Sequence, residues 1–372
     1  MTERIPLIEP VVGDEELENV REVLESGYMT QGPFSQEFEE TFAEFVGAER
    51  AITATSCTTG MELALEAVGV GDGDEVIVPD FTHPATANAV VRVGAEPVLA
   101  DVDRETYNID PVATAEAVTP DTAALLPVSW GGQPLDPAPF HDLAEQHDLA
   151  IIEDAACAAG ASFDGQPAGS QFDASVFSFH PRKVLTTGEG GVVTTDDADL
   201  EDSMRQIKNF GTNPTTDVGF VRADATNFRF SDILAAVGVA QLEKRETILG
   251  RRRELAARYD DLLEDIEGVD PPTEQANARH TYQSYCVYVE AGDEGTRDRL
   301  IEMLAEADIE TQIGTFALHN TEAFGDAKRT GDLSTSTALE SNLLTLPIAH
   351  SMDAADQERV VQALDGALEE YR

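Results

Sequence analysis

The fold is decided by residues 175–195, which read Ser175-Val-Phe-Ser-Phe-His-Pro-Arg-Lys183-Val-Leu-Thr-Thr-Gly-Glu-Gly-Gly-Val-Val-Thr-Thr195. The apolar residues around Val176 and Phe177 predict a buried strand, and residues 192–195 predict a second one. Lys183 lies in the short connection between them, just before a glycine-rich turn. A lysine in such a connection invites a chemical interpretation.

Lys183 is one of only four lysines in the chain, against 71 acidic residues, so lysine is not the default surface cation here. A partly desolvated lysine can lose its proton, and its neutral amine then forms a Schiff base with a carbonyl such as the aldehyde of pyridoxal phosphate. A lysine whose stem packs and whose ammonium reaches solvent is the alternative. The spacing alone leaves both open.

The charge of the chain is extreme, with 24 basic residues and a formal net charge of −47 over 372 residues. The carboxylates are spread along the sequence, and their repulsion is screened only near molar salt. We therefore expect a halophilic protein adapted to a salt-rich cytoplasm. Binding of nucleic acid or an anionic membrane is not expected, because both require a basic face.

The three cysteines, Cys57, Cys157 and Cys286, are far apart in sequence. This spacing predicts neither a disulfide framework nor a metal site, and it favours a reducing compartment. The first residues lack the basic and apolar regions of a signal peptide, and no run of about eighteen apolar residues occurs. A cytoplasmic, soluble protein is expected.

Short apolar strands alternate with helices in the first half of the chain. Strands are predicted over residues 51–55, 75–79, 96–100, 124–128 and 149–153, and helices over 14–27, 35–46, 58–68, 84–93 and 139–147. This alternation is typical of an α/β fold with a mostly parallel sheet covered on both faces. In such sheets ligands bind at the carboxyl ends of the strands.

The second half of the chain predicts a smaller unit. Helices are expected over residues 233–246 and 248–267, before Pro271-Pro272. Strands at 282–290 and 310–313 and helices at 297–307, 337–343 and 353–371 then indicate a small α+β domain. The predicted division is an N-terminal arm with a large cofactor-binding domain over residues 1–247, and a small domain over 248–372.

Two predicted strand ends carry polar residues. Residues 55–60 turn from a strand into a helix through hydroxylated side chains that include Thr58, an arrangement that can bind phosphate or simply cap the helix. Asp154 follows the apolar pair Ile151-Ile152, and a carboxylate there needs a cationic partner or several hydrogen bonds. A protonated pyridine nitrogen would serve, and so would a helix-capping role.

In this order, the motifs resemble the DegT/DnrJ/StrS group of pyridoxal-phosphate-dependent nucleotide-sugar aminotransferases. The strongest match is the stretch around Lys183, and the resemblance runs from about Ile5 to the last helix. Supporting matches are Glu153-Asp154-Ala155-Ala156, Gly73-Asp74-Glu75-Val76-Ile77-Val78-Pro79, Asn227-Phe228-Arg229 and Gln241-Leu242.

The resemblance implies an aspartate-aminotransferase-like (fold type I) homodimer whose active sites lie at the subunit interface, with a large mixed, mostly parallel sheet. It implies pyridoxal 5'-phosphate as the cofactor, bound covalently by Lys183 and paired at its ring nitrogen with Asp154. Ser178 and the Cys57-Thr58 turn would hold the phosphate, and Asn227 would reach in from the other subunit.

Three cofactor-binding positions depart from the family pattern. Cys57 stands where the family often has glycine, and His83 stands where an aromatic residue usually covers the cofactor ring. Cys157 replaces a glutamine three residues after Asp154.

The resemblance implies transfer of an amino group from an amino acid, with glutamate as the expected donor, to a nucleotide-linked keto sugar. The alternatives are a sugar 3-dehydratase, whose relatives carry histidine at the Lys183 position, and a non-catalytic regulator that binds the cofactor. The sugar, the carbon that is aminated and the nucleotide stay open, with a slight preference for C4. A cyclitol or another cyclic ketone is the alternative acceptor.

Overall fold

The computed structural model describes residues 4–213, 219–290 and 295–371. Its α-helices are α1 Asp14–Ser26, α2 Pro33–Val46, α3 Cys57–Ala67, α4 Ala85–Arg92, α5 Pro111–Ala117, α6 Ala138–His147, α7 Ala198–Lys208, α8 Asp232–Leu263, α9 Thr296–Glu306, α10 Ser334–Asn342 and α11 Ala354–Leu368. Among these described helices, none combines the length and the apolar composition that crossing a membrane requires.

The β-strands of the described chain range from two to five residues in length. They are β1 Arg50–Ala54, β2 Glu75–Pro79, β3 Phe81–Thr82, β4 Glu96–Ala100, β5 Thr122–Leu125, β6 Ala150–Asp154, β7 Ser162–Phe163, β8 Gln166–Pro167, β9 Ala174–Ser178, β10 Gly191–Thr195, β11 Val269–Asp270, β12 Ala278–Arg279, β13 Tyr285–Val289, β14 Gln312–Ile313, β15 Phe316–Ala317, β16 Lys328–Arg329 and β17 Leu343–Leu346.

The main sheet has eight strands in the order β1-β10-β9-β6-β5-β2-β4-β16. All described neighbours pair in parallel from β9 to β16, and β10 runs antiparallel to both β1 and β9. The prediction of a mixed, mostly parallel sheet is confirmed. Because β1 runs in the same direction as β6 and β9, the carboxyl ends of these strands meet at one edge.

Both faces of the main sheet are covered by apolar packing. On one face, α3 and α4 bury Leu63, Leu65 and Val90 against the strands. On the other, Phe38 and Phe42 of α2 pack against Phe177 and Phe179 in a cluster of mostly tilted and edge-on rings. Apolar residues on both sides explain why these strands read as continuous hydrophobic runs.

The prediction of two helices over residues 233–246 and 248–267 is wrong, because α8 is one helix of 32 residues. No glycine or proline interrupts the junction at Thr247, so nothing there breaks the backbone hydrogen-bond ladder. The first half of α8 packs with α2 on one face of the main sheet, whereas Leu255 and Tyr259 belong to the C-terminal core. The proposed division at 247/248 falls within this helix and stays a prediction.

The C-terminal part contains a four-stranded antiparallel sheet in the order β11-β13-β17-β14. One of its two inner strands, β17, was not predicted, because the run Leu-Leu-Thr-Leu follows α10 without a turn and is buried along its whole length. Helices α5 and α7 were also missed. The acidic residues of α7 obscured its apolar face, although its buried Met204 and Ile207 have helical spacing.

Candidate active site

A cavity of about 680 Å³ opens at the carboxyl edge of the main sheet. Asp154 ends β6 and Ser178 ends β9 at this edge. Seven of the eight predicted site residues line the cavity, namely Cys57, Thr58, His83, Asp154, Cys157, Ser178 and Lys183. The fold therefore brings together residues that span more than a hundred positions of sequence.

Lys183 lies in the turn after β9, where its N–H donates to the His180 carbonyl at 2.8 Å. Its Nζ lies 3.1 Å from Cys157 Sγ. Burial disfavours the ammonium charge, but the Cys157 sulfur and, more weakly, Cys57 and Asp154 outweigh burial and raise the pKa of Lys183. The amine is consequently protonated at neutral pH in the chain without cofactor.

The Asp154 carboxylate is 5% exposed and forms the floor of the cavity. Thr86 Oγ1 donates to its Oδ2 at 2.8 Å, and the Ala156 N–H donates to its Oδ1 at 3.1 Å. These two donors leave lone pairs for a cationic N–H above it. Sequence analysis missed Thr86, whose only signal is its place in the first turn of α4.

The N-terminus of α3 forms another wall of the cavity. Ser56 caps the helix by accepting from the Thr59 N–H, so the capping interpretation is correct, and Thr58 still faces the cavity. Gly191 lies so close that a Cβ there would fall 2.3 Å from the Ser56 carbonyl oxygen. The first-turn N–H groups that are left over by the cap are the ones able to bind an anion.

The side chains of Cys57 and His83 contribute differently to the cavity. Cys57 is buried, with its sulfur 3.9 Å from Asp154 Oδ1, and burial together with that carboxylate raises the pKa of its thiol well above the usual value. His83 accepts from the Ala85 N–H through Nδ1. Desolvation, followed by the Lys183 charge, lowers the pKa of His83. Both side chains are therefore neutral at pH 7.

Asn227 is the predicted site residue that does not line the cavity. Its side chain is exposed, and its Oδ1 accepts from the backbone N–H and Nε of Arg229. Trp130 and Gly131 also line the cavity. His319 lies outside its lining, and its Nδ1 is 2.6 Å from Oδ2 of the buried Asp80.

Gln283 is a residue of the cavity lining that sequence analysis missed. Its side-chain amide bonds the backbone on both sides of Lys183, and it also lines the cavity. The sequence around it, Thr-Tyr-Gln-Ser-Tyr, reads as an ordinary strand entry. No local pattern links it to a lysine a hundred positions earlier.

The cavity has the donor set that pyridoxal phosphate requires. An amine for the aldehyde, a buried carboxylate for the ring nitrogen, and a helix N-terminus with the Thr58 and Ser178 hydroxyls for the phosphate all face one space. Within the described residues, no three His, Cys, Asp or Glu side chains are grouped so that they could hold a metal ion.

Comparison with known proteins agrees with this geometry. A model of the DegT/DnrJ/EryC1/StrS aminotransferase family matches residues 10–365. GDP-perosamine synthase of Caulobacter vibrioides is 37% identical, covering 98% of this chain and 98% of that protein. The spore coat polysaccharide biosynthesis protein SpsC of Bacillus subtilis is 36% identical, covering 97% of this chain and 96% of that protein.

Solved structures agree with the expected fold type. The PLP form of Spr1654 from Streptococcus pneumoniae superposes with a TM-score of 0.94 at 26% identity, covering 100% of both chains. The expectation of an aspartate-aminotransferase-like, fold type I architecture is thereby confirmed. The chain belongs to the DegT/DnrJ/EryC1/StrS aminotransferase family and is a pyridoxal-phosphate-dependent aminotransferase.

Proposed function

We propose that the enzyme transfers an amino group from glutamate to a keto sugar carried on a nucleotide. The observation that carries the proposal is the convergence of Lys183, Asp154 and the α3 N-terminus on one cavity. The similarity to GDP-perosamine synthase supports a nucleotide-linked sugar as the acceptor.

The residues divide the chemistry among them. When bound, pyridoxal phosphate supplies a carbonyl that takes up the amino group and a ring that accepts the electron pair left on the donor's α-carbon. Lys183 holds the cofactor and, once free, takes the proton from that α-carbon as a general base. Asp154 keeps a proton on the ring nitrogen, and the first turn of α3 binds the phosphate with Thr58 and Ser178.

The position of Arg182 is an argument for an anionic substrate. Its guanidinium lines the cavity next to Lys183, and its one described side-chain hydrogen bond goes to Gln312 Oε1 at 3.3 Å. No carboxylate partner of this guanidinium is described, so its charge stays available to an anion. The carboxylates of glutamate and the diphosphate of a nucleotide sugar both match its planar donors.

A sugar dehydratase and a cofactor-binding regulator fit these residues less well. Relatives that remove a hydroxyl carry histidine at the position of Lys183. A regulator would not require a general base beside the cofactor, whereas the Lys183 amine faces the cavity.

The test is a half-reaction assay in molar salt with glutamate and a panel of nucleotide-linked 3- and 4-keto sugars, read by mass spectrometry. Wild type is expected to aminate at least one sugar, and Lys183→Ala to aminate none. Borohydride reduction should leave the cofactor on the peptide that contains Lys183. Amination of a free cyclic ketone with no reaction on any nucleotide sugar would contradict the proposed substrate class.

We propose a homodimer with shared active sites. Leu17, Leu24, Tyr28 and Met29 are exposed apolar residues on α1 and the loop after it, which is the kind of surface that an interface covers. The exposed Asn227 side chain, outside its own cavity, fits a role in the partner's phosphate site.

Complementation tests the dimer. Lys183→Ala chains, which are inactive alone, and Asn227→Ala chains, which are weakly active alone, are mixed and allowed to exchange subunits. Half of the dimers are then mixed and each has one intact site, so roughly a quarter of wild-type activity should return. No recovery, with exchange verified by mass, would refute shared sites.

The proposed setting is a salt-rich cytoplasm. The net charge of −47 supports a salt-rich environment. The three unpaired cysteines support a reducing compartment.

A further inference from the structure

The backbone on both sides of Lys183 is held by one side chain. Gln283 Nε2 donates to the Arg182 carbonyl at 2.6 Å, and Gln283 Oε1 accepts from the Val184 N–H at 2.7 Å. The side chain is only 8% exposed, so water competes little for either bond. A carbonyl can only accept and an N–H can only donate, which fixes the orientation of the amide.

We propose that Gln283 is a positioning residue that sets the direction of the Lys183 side chain, and this inference rests on the proposed role of Lys183. Neither neighbour of Lys183 can rotate its peptide group without breaking a bond to Gln283. The backbone that carries the amine therefore keeps its orientation toward the cavity.

The segment that carries Gln283 is itself anchored. The buried Arg252 donates through Nη1 to the carbonyls of Tyr282 at 3.0 Å and Gln283 at 3.2 Å. Thr281 Oγ1 donates to the Cys157 carbonyl at 2.8 Å, so the same segment fixes both partners of the Lys183–Cys157 contact. Because its own segment is fixed, Gln283 holds the backbone beside Lys183 rigidly.

The backbone before Gln283 is strained. Tyr282 has φ of 51°, in the left-handed region that residues with a side chain rarely adopt. Such strain persists where the surrounding contacts require it, and it is concentrated at functional sites. Here the left-handed turn directs the next side chain, Gln283, toward the Lys183 connection.

The test uses Gln283→Leu, which keeps approximate volume and removes both bonds, and Gln283→Glu. We expect kcat of Gln283→Leu to fall roughly tenfold to a hundredfold with little change in KM for glutamate, because a misaimed base slows proton transfer more than binding. Without cofactor, hydrogen exchange at the Val184 amide should accelerate while the strands of the main sheet stay protected.

Gln283→Glu adds a pH signature. An ionised carboxylate can accept from Val184 but faces the Arg182 carbonyl without a proton to donate, whereas a neutral carboxyl offers both functions, as the amide does. Its kcat relative to wild type should therefore rise as pH falls. A ratio that is constant with pH would contradict the proposal.

Gln357→Leu is the matched control, because Gln357 is also buried and donates to the Leu255 carbonyl at 2.8 Å in the C-terminal core. It should lower the unfolding temperature and leave kcat and Val184 exchange unchanged. If Gln283→Leu behaves like Gln357→Leu, Gln283 is only structural. If wild type gives no borohydride adduct at Lys183, the proposed function fails, while Val184 exchange still reports whether Gln283 holds the backbone there.

Discussion

At the scale of the residue, the Asp154 carboxylate depends on a side chain outside the family motif. Thr86 is fully buried and its hydroxyl donates to Oδ2 at 2.8 Å. Replacing Thr86 by valine keeps the shape and removes this donor from a charged group, a loss of about 1.5–3 kcal/mol. If that loss falls on the ionised carboxylate in the transition state, kcat drops by about tenfold or more.

Steady-state kinetics of Thr86→Val and Thr86→Ser in molar salt check this expectation. The serine variant retains a hydroxyl and should stay within about threefold of wild type, since about 0.6 kcal/mol is the most that a displaced but intact bond should lose here. Equal activity of the valine variant and wild type would mean that Asp154 does not depend on the Thr86 hydroxyl.

His280 gives a pH prediction for the segment that leads to Gln283. Its ring is 5% exposed, stacks on Tyr282, and accepts from the Tyr282 N–H through Nδ1 at 2.7 Å. Burial and then the Arg253 charge lower the pKa of His280 from 6.5 to about 3. The neutral ring therefore belongs to the folded state, and protonation also removes the acceptor for Tyr282.

The sign of the change in the free energy of unfolding with pH depends on which state takes up protons. Below about pH 6.5 the unfolded chain protonates His280 and the folded chain does not, so the free energy of unfolding falls as pH falls, by at most about 1.4 kcal/mol per unit. His280→Asn keeps an acceptor near Nδ1 and cannot titrate. Urea unfolding at about pH 7 and about pH 5.5 should show a smaller decrease in this variant; equal decreases would exclude His280 as the cause.

At the scale of the element, the continuity of α8 can be tested at the position where a break was predicted. Thr247 is exposed in mid-helix, so proline there would remove a ladder bond and clash with the preceding turn, at about 3 kcal/mol or more. Gly250 is also helical, and a Cβ there would meet no atom within 4 Å. Gly250→Ala should therefore stabilise the protein by about 1 kcal/mol.

Denaturant titration of Thr247→Pro, Thr247→Ala and Gly250→Ala measures these changes. The alanine at 247 controls for loss of the threonine side chain and should be nearly neutral. A tolerated proline would indicate two helices after all.

Particular strands, the long helix and the cavity residues show what the sequence can and cannot predict. The strands over 75–79 and 96–100 were predicted to the residue, because a short apolar run that follows a glycine turn and ends at an aspartate leaves few alternatives. The break in α8 was inferred from two periodic segments, yet periodicity does not report that their apolar faces pack against different cores. Lys183 and Asp154 were proposed from local motifs, whereas the hydrogen bonds of Gln283 and Thr86 span 99 and 68 positions and leave no local pattern.

At the scale of the whole molecule, stability is expected to depend on salt more than on any single contact. Many of the chain's ion pairs are exposed, such as Arg258–Glu358 and Lys328–Glu96, and exposed pairs contribute little. The excess of 47 negative charges therefore acts mainly as repulsion in the folded state. Between about 0.1 M and about 1 M salt the Debye length falls from about 10 Å to about 3 Å, which removes most of it.

The unfolding temperature should accordingly rise by roughly 5–10 °C over this range of KCl, a gain of several kcal/mol. A variant with neutral isosteres at three exposed acidic positions of α5 and α6, Glu116→Gln, Asp142→Asn and Glu145→Gln, should start higher at low salt and rise less. Calorimetry of both proteins in the same KCl series separates screening from the general stabilising effect of salt, which would raise both equally. Parallel curves for the two proteins would mean that repulsion among surface carboxylates is not what salt relieves.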